Sequence, residues 1–502
     1  MSYQDLQSHF EQIGHLEGAC QVLHWDGAAM MPKGGAEARA GQVSTLTVMA
    51  HQQRTDPRVP EWIESAQEAG RRGALTDWEQ ANVREINREY THAVALPERL
   101  VRALSEAGSR CEMIWREARA ADDFDRLRAP LEEVVELVRE SAEIKAERFG
   151  RSRYEVLLDA YEPGGSEAHI DTLFAELMTA LPSLIEEAIE VQERRDRDAP
   201  LPSLEGPFSI SAQRQLGVGL MRRLGFDFNH GRLDVSLHPF CGGTSSDVRI
   251  TTRYDESDFT QSLMGVIHET GHALYEQGLP EAWRLQPVGR ARGMSLHESQ
   301  SLFMEMQIGR SEGFIRHIAP LVREAFEGDG AGWSAEGLHR HYTRVSRSLI
   351  RVDADEITYP AHVILRYELE KSMLSGALEV RDLPEAWADG MERLVGVRPP
   401  NNRDGCMQDI HWMDGSFGYF PTYTLGAMTA AQLYATLDAS TPNLQEALSE
   451  GHLEGVVEWL GAQVHAQASR WSVDELLTQA TGRPLEVAPF LAHLRRRYID
   501  IV

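Results

Sequence analysis

The stretch Val266-Ile267-His268-Glu269-Thr270-Gly271-His272-Ala273-Leu274 limits what this chain can fold into more than any other. Apolar flanks and an uncharged Thr270-Gly271 centre describe a helix buried on every side. Two histidines and a glutamate inside such a helix need partners, since a buried polar group left without one costs roughly 2–7 kcal/mol. Residues four apart lie on one helix face one turn apart, so His268 and His272 can aim both imidazoles at a single metal ion. Glu269 falls beside them, where it can take a proton from a water that the ion activates. The stretch reads as the zinc helix of a metallopeptidase, supplying two ligands and a base.

A catalytic zinc takes three protein ligands and leaves one position open. Downstream, Ser295-Leu296-His297-Glu298 offers Glu298, 26 residues past His272, with His297 as a second candidate. Ser295-x-x-Glu298 also fits a capping box, in which Glu298 would reach back to the Ser295 amide. The residues alone leave the two roles of Glu298 open.

Around this stretch the pattern is helical. Leu6, Phe10, Ile13, Leu16 and Cys20 recur at three- and four-residue spacing. Pro32-Lys33-Gly34-Gly35 closes that helix, and Ala36 to Ala50 starts the next. Further helices are predicted over about 76–93, 97–121 and 127–149. A long amphipathic stretch carries Leu173, Phe174, Leu177, Leu181, Leu184, Ile185 and Ile189. Charge and prolines make 196–207 the expected surface connection. This gives one peptidase unit over 1–502, with a helical N-terminal lobe over 1–200 and a catalytic lobe over 201–502. The class is mainly α.

The period changes to two in 233–240 and again in 247–254, with the turn-rich Cys241-Gly242-Gly243-Thr244-Ser245-Ser246 between them. We expect a β-hairpin beside the zinc helix. Its second strand would be an edge that pairs with an extended peptide, with Asp247, Arg249, Thr251 and Arg253 on the face that meets the substrate's charged end.

Fifty basic against 77 acidic residues, a formal −27, argue against nucleic acid and anionic membrane as partners, both of which select for Lys/Arg surfaces. The segment 1–25 is broken by Asp5, Glu11, His15 and Glu17, so it has no signal-peptide core. Four cysteines without a CxxC, Cys20, Cys111, Cys241 and Cys406, suit a reducing compartment. Cytoplasmic location and no disulfide are expected.

Six motifs then occur in a telling order: His238-Pro239-Phe240, Asp247-x-Arg249-x-Thr251, His268-Glu269-x-x-His272, His297-Glu298-Ser299-Gln300, Ile350-Arg351-x-x-Ala354-Asp355 and Gly405-x-x-Gln408-Asp409-x-His411-Trp412. In this the chain resembles the thermostable carboxypeptidase Taq family of metallocarboxypeptidases. Leu23-His24-Trp25-Asp26, 154–164, Thr358-Tyr359-Pro360 and Thr481-Gly482-Arg483-Pro484 are similar too, so the likeness spans nearly the whole chain.

The resemblance implies a mostly helical fold with a deep central groove, a homodimer, and release of single residues from peptides with a free C-terminus by a zinc or cobalt enzyme. It makes His268, His272 and Glu298 the metal ligands and Glu269 the catalytic base and proton donor. Recognition of a terminal carboxylate calls for the forked donor set of arginine, and Arg249 and Arg351 are the candidates. His238, His411, Tyr419 and Tyr423 are candidate oxyanion donors, and Asp409 a candidate to orient a ligand histidine. The competing readings are a zinc endo-oligopeptidase and a non-catalytic helical binding protein with a vestigial metal site.

Overall fold

The stripe of Leu6, Phe10, Ile13 and Cys20 lies along one face of a 27-residue helix, Tyr3–Ala29, and all four side chains are buried. The structure is a computed structural model that describes residues 3–500. Helix makes up 69 % of it, which places the chain in the expected mainly α class. The predicted helices appear as Asp77–Ala93, Glu98–Ala121 and Phe124–Phe149, and the long amphipathic stretch as Glu167–Asp198. Side-chain caps fix several starts: Thr76, Ser152 and Ser472 each form a capping box with the glutamate three residues on.

Three buried clusters organise the packing. One core runs without a break from helices before residue 200, with Leu127, Phe174 and Leu177, into helices after it, with Phe259, Ile267, Leu296, Phe303 and Leu433. A second joins Leu6, Phe10 and Ile13 to Val59, Trp62, Ile63, Val83 and Ile86. The third packs the sheet side chains Leu233, Val248 and Ile250 on Val266 and Ala273 of the HExxH helix. That helix, Phe259–Gly278, therefore has apolar neighbours on opposite sides, as its flanks demand.

The sheet differs from the expected hairpin. It has three strands, β1 (Gly231–Val235), β2 (Phe240–Thr244) and β3 (Asp247–Thr252), in the order β1-β3-β2. β1 pairs with β3 in parallel, and the hairpin is β2–β3, closed by Ser245-Ser246. The segment read as a turn-rich link is thus mostly strand. Gly243, at φ +86°, allows this, since a Cβ there would lie 2.2 Å from the Asp247 carbonyl oxygen. β3 is central and not an edge, so both of its backbone sides are taken by neighbouring strands. Thr251 is buried, holding Ser236 Oγ at 2.7 Å and the Phe240 amide at 3.0 Å, and Arg253 lies beyond the strand.

A polar seam ties the N-terminal cluster to the rest. Asn82 is fully buried and donates to Tyr3 Oη (3.0 Å) and Gln286 Oε1 (2.9 Å), while its oxygen accepts from the Val288 amide (3.3 Å). Arg292 meets Glu85 at 2.8 Å and Arg290 meets Glu89 at 3.0 Å in the same seam. Among the described residues no helix is long and apolar enough to cross a membrane.

Replacing Asn82 by Leu strands the buried partners Gln286 and Val288, and should lower stability by about 1–3 kcal/mol. The measurement is the midpoint of the urea unfolding transition against wild type.

Candidate metal centre

The HExxH helix begins at Asp258, whose carboxylate accepts from the Thr260 amide at 2.7 Å, and runs 20 residues to Gly278. Against it packs the helix Gly293–Leu302. Gly271 sets how closely the two can approach. A Cβ on it would stand 2.4 Å from the Gln300 carbonyl oxygen and 2.6 Å from Ser301 Cα, both backbone atoms that cannot swing away. On the far side the helix Pro421–Ser440 closes in through Gly426, where a Cβ would lie 2.9 Å from Glu298 Cβ. The helix that carries Glu298 is held between the two glycines.

The result is convergence. One donor atom each from His268, His272 and Glu298 lies within 4.8 Å of the others, and Glu298 Oε2 is 3.5 Å from His272 Nε2. Both rings are oriented from behind. His268 Nδ1 donates to Glu305 Oε2 (2.9 Å) and His272 Nδ1 donates to the His297 carbonyl (3.0 Å). An ionised carboxylate and a carbonyl only accept, so each Nδ1 carries a proton and each Nε2 is the nitrogen left to face the site.

These donors suit a divalent cation. Burial works against a charge on His268, yet the hydrogen bond it donates to Glu305 and the charges of Glu298, Glu305 and Glu269 raise its pKa to about 10. Such a ring reports a pocket rich in negative charge, which a dication would balance. Glu298 is held at about 2, because the neighbouring His272 and His268 outweigh the burial that opposes ionisation. Glu269, next along the helix, differs. Burial pushes it up to about 7, and its Oε2 has no hydrogen-bond partner. An orphaned carboxylate oxygen beside two nitrogens and an oxygen fits a site that also holds water.

One rival reading and one expectation about this centre do not hold. Ser295 is not a helix cap: the helix starts at Gly293, and the Ser295 amide is bonded to Glu162 Oε2 at 3.2 Å. Nor does Asp409 touch a ligand histidine. Glu305, which does, was missed. The available signal was its place seven residues after Glu298, two turns along one face, together with the need of any ligand histidine for an acceptor at its other nitrogen. His297 turns its ring away from the cluster, stacking on His272 at 4.5 Å and pairing through Nε2 with Glu276 at 3.0 Å.

Asp409 joins a second cluster. Its Oδ1 accepts from Arg351 Nη2 (2.8 Å) and its Oδ2 from Arg366 Nε (2.7 Å). Two buried guanidinium groups therefore share one carboxylate. Burial lowers Arg366 to about 10 even against the pull of Asp409. Arg351 also lies 4.7 Å over the Tyr423 ring and donates to Tyr359 Oη at 3.3 Å. Tyr419, Tyr423 and His411 are in mutual ring contact at 5.2–6.2 Å, and the Tyr423 hydroxyl is 3.4 Å from His411 Nε2. Burial pushes the phenols of Tyr359, Tyr419 and Tyr423 up, and the Glu298 charge adds to the shift in all three. Tyr423 shares with Gly426 the helix that abuts Glu298, so this cluster borders the candidate metal ligands. Tyr359 was quoted in a motif but given no role.

The remaining candidates lie elsewhere on the sheet. Arg249 closes its fork on Asp247 (2.6 and 2.7 Å) and lies 4.1 Å over the Trp25 ring. His238 is exposed in the loop between β1 and β2, where its carbonyl accepts from Ser236 Oγ. The four cysteines are free thiols.

Gly271→Ala should cost about 1–3 kcal/mol through overpacking and weaken metal retention. Gly265 lies on the same helix with nothing within 4 Å of an added Cβ, so Gly265→Ala should be neutral or stabilising by up to about 1 kcal/mol. Thermal midpoints and metal content after dialysis measure both.

A family profile described as carboxypeptidase Taq (M32) metallopeptidase matches residues 5–498. Thermostable carboxypeptidase 1 of Thermus thermophilus is 39 % identical, with 99 % of this chain and 98 % of that protein covered. Carboxypeptidase 1 of Bacillus subtilis is 34 % identical, at 98 % and 97 %. Among solved structures, metallocarboxypeptidase 1 of Trypanosoma cruzi superposes with a TM-score of 0.96 at 38 % identity, covering 99 % of both chains. The M32 carboxypeptidase of Deinococcus radiodurans R1 gives 0.92 at 34 %, covering 99 % and 98 %.

Proposed function

Because the chain belongs to the carboxypeptidase Taq (M32) family of metallopeptidases and is a metal-dependent carboxypeptidase, we propose that His268, His272 and Glu298 hold its divalent ion, that this ion is zinc with cobalt as a working substitute, and that Glu269 moves the protons. The observation that carries this reading is the convergence of the three donor atoms within 4.8 Å, each ring oriented from its far nitrogen. Two imidazoles and one carboxylate with a position left open are the donor set of a catalytic zinc.

When bound, the ion supplies Lewis-acid activation of water and of the scissile carbonyl. The chain's own groups do the rest. Glu269 accepts a proton at its unpartnered Oε2 as water attacks the carbonyl carbon, then delivers it to the nitrogen of the departing amino acid. Tyr419, Tyr423 and His411 stand at the border of the ligand cluster as donors to the developing oxyanion. Burial keeps both phenols protonated, as a donor must be.

Specificity for a free C-terminus rests on charge balance. Arg351 and Arg366 share Asp409, leaving one buried positive charge in excess beside the metal cluster. A terminal carboxylate is the ligand that compensates it. Asp409 takes the Nε and Nη2 side of Arg351, so its Nη1, beside Tyr359, is the donor turned to substrate. Arg249 spends its fork on Asp247, and with His238 it belongs to the sheet side of the site, facing the peptide upstream of the cut. The free cysteines support a reducing, cytoplasmic setting, and the family resemblance supports a homodimer.

Glu269→Gln should retain one metal ion per chain and lose about 10²–10⁴ in kcat, read by metal analysis and release of one amino acid from a short peptide. Wild-type-like turnover would remove Glu269 from the role.

Arg351→Ala should abolish the preference for a free peptide over its C-terminal amide. Comparing kcat/KM on the two substrates decides it, and an unchanged preference would hand the carboxylate to another group. Internal cleavage of the amide by wild type would favour an endopeptidase.

A further inference from the structure

The helix carrying Glu298 does not end as an α-helix. It runs on into a seven-residue π-helical segment, Phe303–Gly309, which holds Glu305 against His268. Wide π turns are poorly stabilised by their own hydrogen bonds and leave carbonyls at their end in need of donors. Two of these donors come from the helix Val487–Tyr498. Arg497 donates through Nη1 to the Met306 carbonyl and through Nη2 to the Gln307 carbonyl at 3.4 Å.

The same guanidinium reaches Glu356. Arg497 Nη1 donates to Glu356 Oε1 at 2.8 Å, and His493 Nε2 lies 2.7 Å from Glu356 Oε2. From the other side Arg310 pairs with Glu305 and approaches Glu356 Oε1 at 3.6 Å. The Glu356 side chain is fully buried. It stands five residues after Arg351 and three before Tyr359, in the segment that carries the carboxylate-binding candidates.

We propose that Arg497 and Glu356 are positioning residues: a buried clamp through which the helix Val487–Tyr498 sets both the π segment presenting Glu305 to the metal-ligating His268 and the Arg351–Tyr359 segment facing the substrate's terminal carboxylate. The proposal rests on the metal and carboxylate roles assigned above. Each link is a charge-assisted contact between buried groups, so losing one leaves its partners unpaired and free to move. Glu305 acts on His268 from behind, and loss of such a partner typically weakens metal binding by about 10–100-fold. Arg497 acts one contact further out, so the lower end of that range applies.

The test is zinc affinity, by competition with a chromogenic chelator, for full-length wild type, Arg497→Met, Arg497→Lys and Arg495→Met. Arg495 lies on the same helix and makes an exposed pair with Glu187, so it serves as the control. We expect the apparent Kd for Zn²⁺ to rise about tenfold in Arg497→Met, with partial rescue in Arg497→Lys and wild-type affinity in Arg495→Met. At saturating zinc, Arg497→Met should also show a raised KM for a free peptide. A Kd within twofold of wild type in folded Arg497→Met overturns the clamp. An equal loss in Arg495→Met also overturns it, since the effect would then be general destabilisation. If Arg497→Met does not fold, Arg497→Lys decides on the same twofold criterion. A wild-type protein that binds no stoichiometric zinc instead overturns the metal assignment itself.

Discussion

The close approach of two backbones at Gly271 is the contact on which the rest of the structure depends. Two of the proposed ligands come from one helix and the third from another, and carboxylates and imidazoles are short. The helix axes must therefore pass nearer than ordinary side chains permit, and only a residue without a Cβ allows it. Gly426 repeats the arrangement on the opposite side, pressing a third helix onto Glu298. What looks in the sequence like a weak point of a helix, a glycine inside HETGH, is the reason a ligand set can assemble at all.

Charge separation follows from that geometry. Around the histidines the protein gathers Glu269, Glu298 and Glu305. Around Arg351 it gathers a second guanidinium and a single carboxylate. One cluster is short of positive charge and the other short of negative charge, and both are buried. Neither deficit is comfortable in a low dielectric, and each suits the ligand proposed for it: a dication for the first, a terminal carboxylate for the second. A peptide with a free C-terminus is a molecule that can satisfy the second while placing its last amide bond at the first. The helix that carries Tyr423 abuts Glu298 through Gly426, so the two clusters are near neighbours.

How much of this the sequence revealed depends on whether the information was local. The HExxH helix was legible because its apolar flanks and its four-residue spacing are both properties of one continuous segment. Glu298 was ambiguous from the residues alone, since Ser295-x-x-Glu298 satisfies a local capping rule equally well. What decides is Glu162, more than 130 residues away, which takes the Ser295 amide and leaves Glu298 uncommitted. The sheet was half legible. Alternation marked strands near Leu233 and Asp247, but the pairing partner of a strand is a tertiary fact. The glycines at 242 and 243 read as a turn, whereas the fold uses them to bring β2 close to β3.

Asp409 and Glu305 show the same limit from opposite directions. The motif around Asp409 gave its residue type and its nearness to the site, and an acidic residue there was reasonably matched to a histidine. Its true partners are two arginines, on the Arg351–Asp353 turn and the helix Tyr359–Ser375, with which it shares no sequence neighbourhood. Glu305 had no motif at all and sits on a π segment, a backbone form with no reliable sequence signature. Two carbonyls of this π segment are taken by donors from outside it. Those donors belong to the helix Val487–Tyr498, nearly 190 positions further along. The orientation of His268 is therefore a property of the whole folded chain, and no window of sequence around the HExxH helix contains it.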